Sequence, residues 1–127
     1  KTGKEKYESS LEADDISLAE KIMDPTSLGE NVNKDNVIII GSKGVSAHNM
    51  KTGAKVWANR TKSGDFNGIY GTTAFYQTES DDQFAIDVNT GKATFYNARK
   101  NAKAEYSSDG NYLYAFEKKV VTKLSTK

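Results

Sequence analysis

The sequence has 127 residues, enough for one domain, and its 18 Lys+Arg against 17 Asp+Glu leave a formal charge of +1. The charges are interspersed, which removes the electrostatic case for nucleic acid or a membrane surface as partner. Cysteine is absent, excluding a disulfide framework or a thiolate metal site, and the longest apolar run, residues 37–40, is far short of the ~20 residues of a membrane helix.

In chain order, residues 1–8 carry Thr2-Gly3-Lys4 and, four places after the glycine, Tyr7. They read as the outer strand of a preceding or shared unit. Residues 9–36 are the least regular stretch, with Asp14-Asp15, the only proline (Pro25) and Gly29-Glu30-Asn31, and read as an irregular insertion or linker. Within it Ile16, Ala19 and Met23 share a helical face, Asp14 or Asp15 is placed to cap, and Asp24-Pro25 to terminate. A short helix over 14–23 and an irregular strand followed by a long loop both fit these residues.

From residue 37 strands alternate with turn signals, in units 37–62, 63–100 and 101–127. Val37–Ile40 reads as a buried strand, Gly41–Gly44 as a turn, Val45–Met50 and Lys55–Asn59 as strands. The plan recurs with strands Thr73–Thr78, Gln83–Val88 and Ala93–Tyr96, then with Tyr112–Phe116 and Lys119–Leu124. Thr122 aligns with Ala85 at an offset of 37, which leaves Leu124 where an acidic residue is expected. The chain opens inside a repeated motif and stops at Ser125-Thr126-Lys127, so it reads as a piece of something longer.

That motif is the strongest signal. Residues 47–57, Ala-His-Asn-Met-Lys-Thr-Gly-Ala-Lys-Val-Trp, align without a gap on residues 85–95, Ala-Ile-Asp-Val-Asn-Thr-Gly-Lys-Ala-Thr-Phe, 38 residues later. A period near 40 suits a four-stranded propeller blade. Each residue type has a physical role. Gly53 and Gly91 supply the positive φ of a tight turn. Asn49 and Asp87 can accept hydrogen bonds from backbone amides of that turn. Ala47 and Ala85 permit close packing. Trp57, Phe95 and Tyr7 carry the large apolar area, some 150–250 Å² for a buried aromatic.

The pattern resembles the tryptophan-docking motif of quinoprotein-type (PQQ-like) β-propeller repeats. The resemblance implies that Trp57, Phe95 and Tyr7 dock against neighbouring blades, with Gly53, Gly91 and Gly3 as turn glycines. It departs at Asn49 for Asp and Ala54 for Lys, and two of the three aromatics are not Trp. It implies an all-β fold of antiparallel four-stranded blades, about three of them, as a partial propeller. Non-catalytic members include an outer-membrane assembly lipoprotein, which implies an extracytoplasmic (periplasmic or secreted) location.

Catalytic patterns are thin. His48 is the only histidine and reads as a surface or blade-edge residue; Ser42 and Ser46 near it imply no third catalytic group. Glu79, Asp81, Asp82 and Asp109 fall in turns and read as solvated. Asn59-Arg60-Thr61 is a glycan sequon of low specificity. The expected function is therefore a non-catalytic scaffold for a protein partner, not an enzyme, with no cofactor, no metal, no nucleic acid and no membrane insertion. The alternative is a fragment of a quinone- and calcium-dependent dehydrogenase propeller. A strand-exchanged homodimer, or the remainder of a longer parent chain, would cover the open edges.

Overall fold

The computed structural model describes residues 19–79, 82–96 and 103–127; Gly3, Tyr7, Asp14, Asp15 and Asp81 lie outside them. Apart from one 3-10 turn, the regular structure of the described residues is all strand, folded as three antiparallel meanders of three to four strands, as in blades of a partial propeller. The first sheet is β1 (Ala19–Met23), β2 (Asn36–Gly41), β3 (Gly44–Asn49) and β4 (Lys55–Arg60). The second is β5 (Gly64–Tyr70), β6 (Thr73–Thr78), β7 (Gln83–Asp87) and β8 (Ala93–Tyr96). The third is β9 (Lys103–Tyr106), β10 (Tyr112–Glu117) and β11 (Val120–Ser125).

Residues 14–18 lie outside the described residues, and residues 19–23 take the irregular-strand alternative and not the helical one. They form a strand that pairs with β2 from Ala19↔Gly41 to Met23↔Ile38, with an irregularity between Ala19 and Lys21. The β-branched strand Val37–Ile40 offers a ready ladder, whereas a short isolated helix must meet a costly nucleation step. Capping falls instead to Asp24. Its carboxylate accepts from the Thr26 amide at 2.9 Å and opens a single 3-10 turn, Pro25–Ser27. Strands β5 and β9 were also not anticipated. Gly64-Asp65-Phe66-Asn67-Gly68 holds two glycines and a bulge between Phe66 and Gly68 in the pairing with β6, which weaken its strand signal. Lys103-Ala104-Glu105-Tyr106 is short and poor in β-formers.

Alternation then distributes the core. Ile38, Ile40, Val45 and Ala47 of the first sheet pack on Ala74, Tyr76, Ile86 and Val88 of the second. Phe75 and Ala85, on the opposite face of the second sheet, pack on Leu113 of the third. Strand β6 is thus buried on both faces, because a sheet lies on each side of it. The Tyr76 hydroxyl lies 2.8 Å from the Gly41 carbonyl and 3.1 Å from that of Gly64, tying the end of β2 to the start of β5.

Candidate functional site

The repeated turn comes first. The Asn49 Oδ1 accepts from the amides of Lys51 and Thr52 at 2.9 and 3.0 Å, and the Asp87 Oδ1 from those of Asn89 and Thr90 at 2.8 and 3.2 Å. Gly53 and Gly91 close these turns with φ of 77° and 80°, and their amides donate to Asn49 and Asp87 carbonyls at 2.8 and 2.7 Å. Ala47 and Ala85 are buried.

His48 is not at the surface. It is 5% exposed in the central strand β3, with Nδ1 3.2 Å from the Gly53 carbonyl oxygen. The side chain is spent on the turn. Its neighbour Ser46 is fully buried, with a hydroxyl that has no hydrogen-bond partner among the described residues. Asn59, the sequon residue, is also engaged: its Nδ2 donates to the Gly91 carbonyl at 2.8 Å.

Trp57 lies on the next sheet's turn. A Cβ built on Gly91 would fall 2.5 Å from Trp57 Cδ2, so the indole rests directly on the glycine backbone. The indole Nε1 is buried without a hydrogen-bond partner among the described residues. The contact is therefore apolar packing, with Asn59 supplying the polar link beside it.

Phe95, the residue aligned with Trp57, sits differently. It is 51% exposed and packs on its cross-strand partner Phe84, ring centroids 4.9 Å apart. The cause is register. In the first sheet Trp57 opposes Ala47, because the pairing skips Val56 at a bulge between Ala47 and His48. In the second sheet Ala85 opposes Thr94, with no such skip. One residue of register moves a side chain to the opposite face. Thr94 and Tyr96 therefore occupy the places of Trp57 and Asn59. The Thr94 hydroxyl donates to the Thr126 carbonyl at 3.1 Å and the Tyr96 hydroxyl to that of Ser125. Burial pushes the Tyr96 phenol pKa up.

The third sheet corrects the alignment at its end. Tyr112 pairs with Ser125 as Thr73 pairs with Asp87 and Asn36 with Asn49. Asn49, Asp87 and Ser125 stand 38 residues apart, so Ser125 takes the acidic position and Lys123 that of Ala85. The Ser125 hydroxyl accepts from the Lys127 amide at 3.1 Å, the same two-residue reach that Asn49 and Asp87 make. Sequence gave no warning, because Ser and Asp look unlike until their shared acceptor role is seen.

Tyr106 is a further link missed in the sequence. It stacks on Phe75 at 4.0 Å, receives a hydrogen bond from Asn67 at 2.8 Å and donates to Gln83 Oε1 at 3.0 Å. Burial raises its pKa, against a smaller lowering by the Asn67 contact.

The remaining feature faces away from the stack. Tyr112, Tyr114 and Phe116 of β10 share a face with Val121 and Lys123 of β11, while Leu113, Ala115 and Leu124 turn toward the second sheet. Phe116 is 47% exposed and Val121 62%. Lys123 Nζ stands 4.1 Å from the Tyr112 ring centroid and 5.9 Å from that of Tyr114. Glu79 and Asp82 lie at the β6–β7 turn, and Asp109 accepts from Ser107 Oγ at 2.7 Å and the Asn111 amide at 3.0 Å. Among the described residues no three His, Asp or Glu side chains gather as a metal ion would require, and no helix is long and apolar enough to cross a membrane.

No protein-family model matches the chain, and no curated protein is similar to it. Among solved structures it is similar to the crystal structure of BamB from Moraxella catarrhalis, at 20% identity and a TM-score of 0.45. The match covers 75% of this chain and 31% of that one, so the chain spans under a third of the structure it resembles.

Proposed function

We propose that this chain is a non-catalytic propeller-type repeat segment that acts as an extracytoplasmic scaffold for a protein partner. One observation carries the reading: the aromatic face of the third sheet. Tyr112, Tyr114, Phe116 and Val121 form a stripe capped by a lysine, rigidly backed by the stacked core. Exposed aromatic and β-branched side chains on a rigid sheet are the composition of protein-binding patches. The motif residues serve this surface indirectly. Asn49 and Gly53, and Asp87 and Gly91, shape the two turns, Ala47 and Ala85 sit buried in the core, Trp57 joins the first sheet to the second on Gly91, and Phe95 packs against Phe84.

A photo-crosslinking residue placed at Phe116 in the native host tests this. The expected result is a covalent adduct with another polypeptide, absent when the same group replaces Lys43 in the exposed β2–β3 turn. Equal labelling at both positions, or no protein adduct at 116, would contradict the reading.

A further inference from the structure

The two junctions between sheets are filled differently. In the second sheet the side chains turned toward the first include the opposed pair Ala74 and Ile86 and, next along the same face, the opposed pair Tyr76 and Phe84. The same register in the third sheet sets Leu113 opposite Leu124 and then Ala115 opposite Thr122, on the face turned toward the second sheet. Two aromatic rings at one junction thus correspond to a methyl and a hydroxyethyl group at the other. Where Tyr76 is fully buried, Ala115 borders an open cavity of about 290 Å³, whose described lining residues are Ala115, Glu117, Lys118, Val120 and Thr122.

The turn beside this cavity is strained. Lys118 and Lys119 join β10 to β11, and both have positive φ, 47° and 72°. Asn-Gly meets that demand most easily, whereas a long side chain carries a Cβ clash there. The turn nevertheless holds two ammonium groups at the cavity's end of the sheet, where Lys103, opposite Phe116, adds a third. Strain of this kind gathers at ligand clamps.

We propose that the cavity seats an aromatic side chain of a protein partner, carried on an acidic peptide segment. Shape selects the aromatic, because the equivalent space at the first junction is filled by the rings of Tyr76 and Phe84. Size agrees, since the cavity lies just below the roughly 300–1,000 Å³ of ligand and cofactor sites and suits one side chain. Charge selects the flanking residues: Lys118, Lys119 and Lys103 outnumber Glu117 at this end of the sheet. Aromatic anchors seated in pockets dominate the energetics of protein interfaces. The inference rests on the scaffold reading for the class of its occupant, but it concerns the face turned toward the second sheet and not the face of Phe116.

The probe is the peptide N-acetyl-Glu-Phe-Glu-amide, titrated into the protein while the methyl resonances of Ala115 and Thr122 are followed by NMR. Saturable shifts of both methyls are expected. Affinity should fall at least about tenfold when alanine replaces the phenylalanine, and when lysine replaces both glutamates. Ala115→Tyr/Thr122→Phe transplants the pair of the second sheet, fills the cavity and should abolish the binding, read at Val120. Lys118→Asn/Lys119→Gly relieves the turn, so it should raise the unfolding temperature and weaken the binding together. No saturable shift, equal affinity for the three peptides, or undiminished binding in either variant would overturn the inference. Crosslinking at Phe116 reads the scaffold role separately, so either result can fail without the other.

Discussion

The ring of Trp57 occupies the space that any side chain at Gly91 would need. A Cβ there would lie 2.5, 2.6 and 2.8 Å from three atoms of the indole. Gly91 also has φ +80°, a conformation that costs other residues roughly 1–2 kcal/mol. The glycine thus answers two demands, a turn within its own sheet and a contact with its neighbour. Gly91→Ala should destabilise the protein through both strain and clash, and in a Trp57→Ala background only the strain should remain. A double-mutant cycle by chemical denaturation measures the difference. Strictly additive effects would remove the contact from the account.

Trp57→Ala by itself should cost about 2–3 kcal/mol, below the ~3–5 kcal/mol of a fully buried tryptophan, because the ring is only partly buried. An unfolding midpoint within error of the unaltered protein would contradict this.

Phe95 and Tyr96 should behave opposite to their places in the motif. Phe95→Ala removes a half-exposed ring and should cost about 1 kcal/mol or less. Tyr96→Phe leaves the Ser125 carbonyl without its donor and should cost about 0.5–1.5 kcal/mol for one hydroxyl. Tyr96→Ala, which also removes packing against the core around Phe75, should exceed Phe95→Ala clearly. Thermal unfolding ranks the three, and a Phe95→Ala effect larger than Tyr96→Ala would restore Phe95 as the docking residue.

These contrasts show what the sequence made legible. The 38-residue period announced a repeat, and the apolar run Val37–Ile40 and the segment Thr73–Thr78, each bounded by turn signals, announced strands, because a short buried run between turns is a visible pattern. The turn chemistry of Asn49, Asp87 and their glycines was legible for the same reason: few residues meet its backbone demands. A skipped residue in a ladder leaves no such trace. The bulge at Val56 decides that Trp57 and Phe95 face opposite ways, yet both sit four places after a glycine. Ser125 was hidden by a one-residue misalignment, and Tyr106 by a strand too short and polar to stand out.

Acid should act at Asp109. The Ser107 hydroxyl and then the Asn111 amide hold its carboxylate pKa below the ordinary 3.8. A group depressed in the folded state contributes stability above its unfolded pKa and loses it as pH falls through the folded value. The stability gap between the unaltered protein and Asp109→Ala should therefore be constant above about pH 4 and shrink below it. Denaturant melts across pH 2–7 measure it, and a gap that widens on acidification would contradict the assignment.

Trp57 is the only tryptophan, so its fluorescence reports directly on whether successive sheets are stapled through the Thr-Gly turn. Gly91→Ala, verified as folded by far-UV circular dichroism, should displace the indole. The account predicts a red-shifted emission and stronger iodide quenching than in the unaltered protein. A folded Gly91→Ala protein with unchanged emission and unchanged quenching would contradict the docking of Trp57 on Gly91.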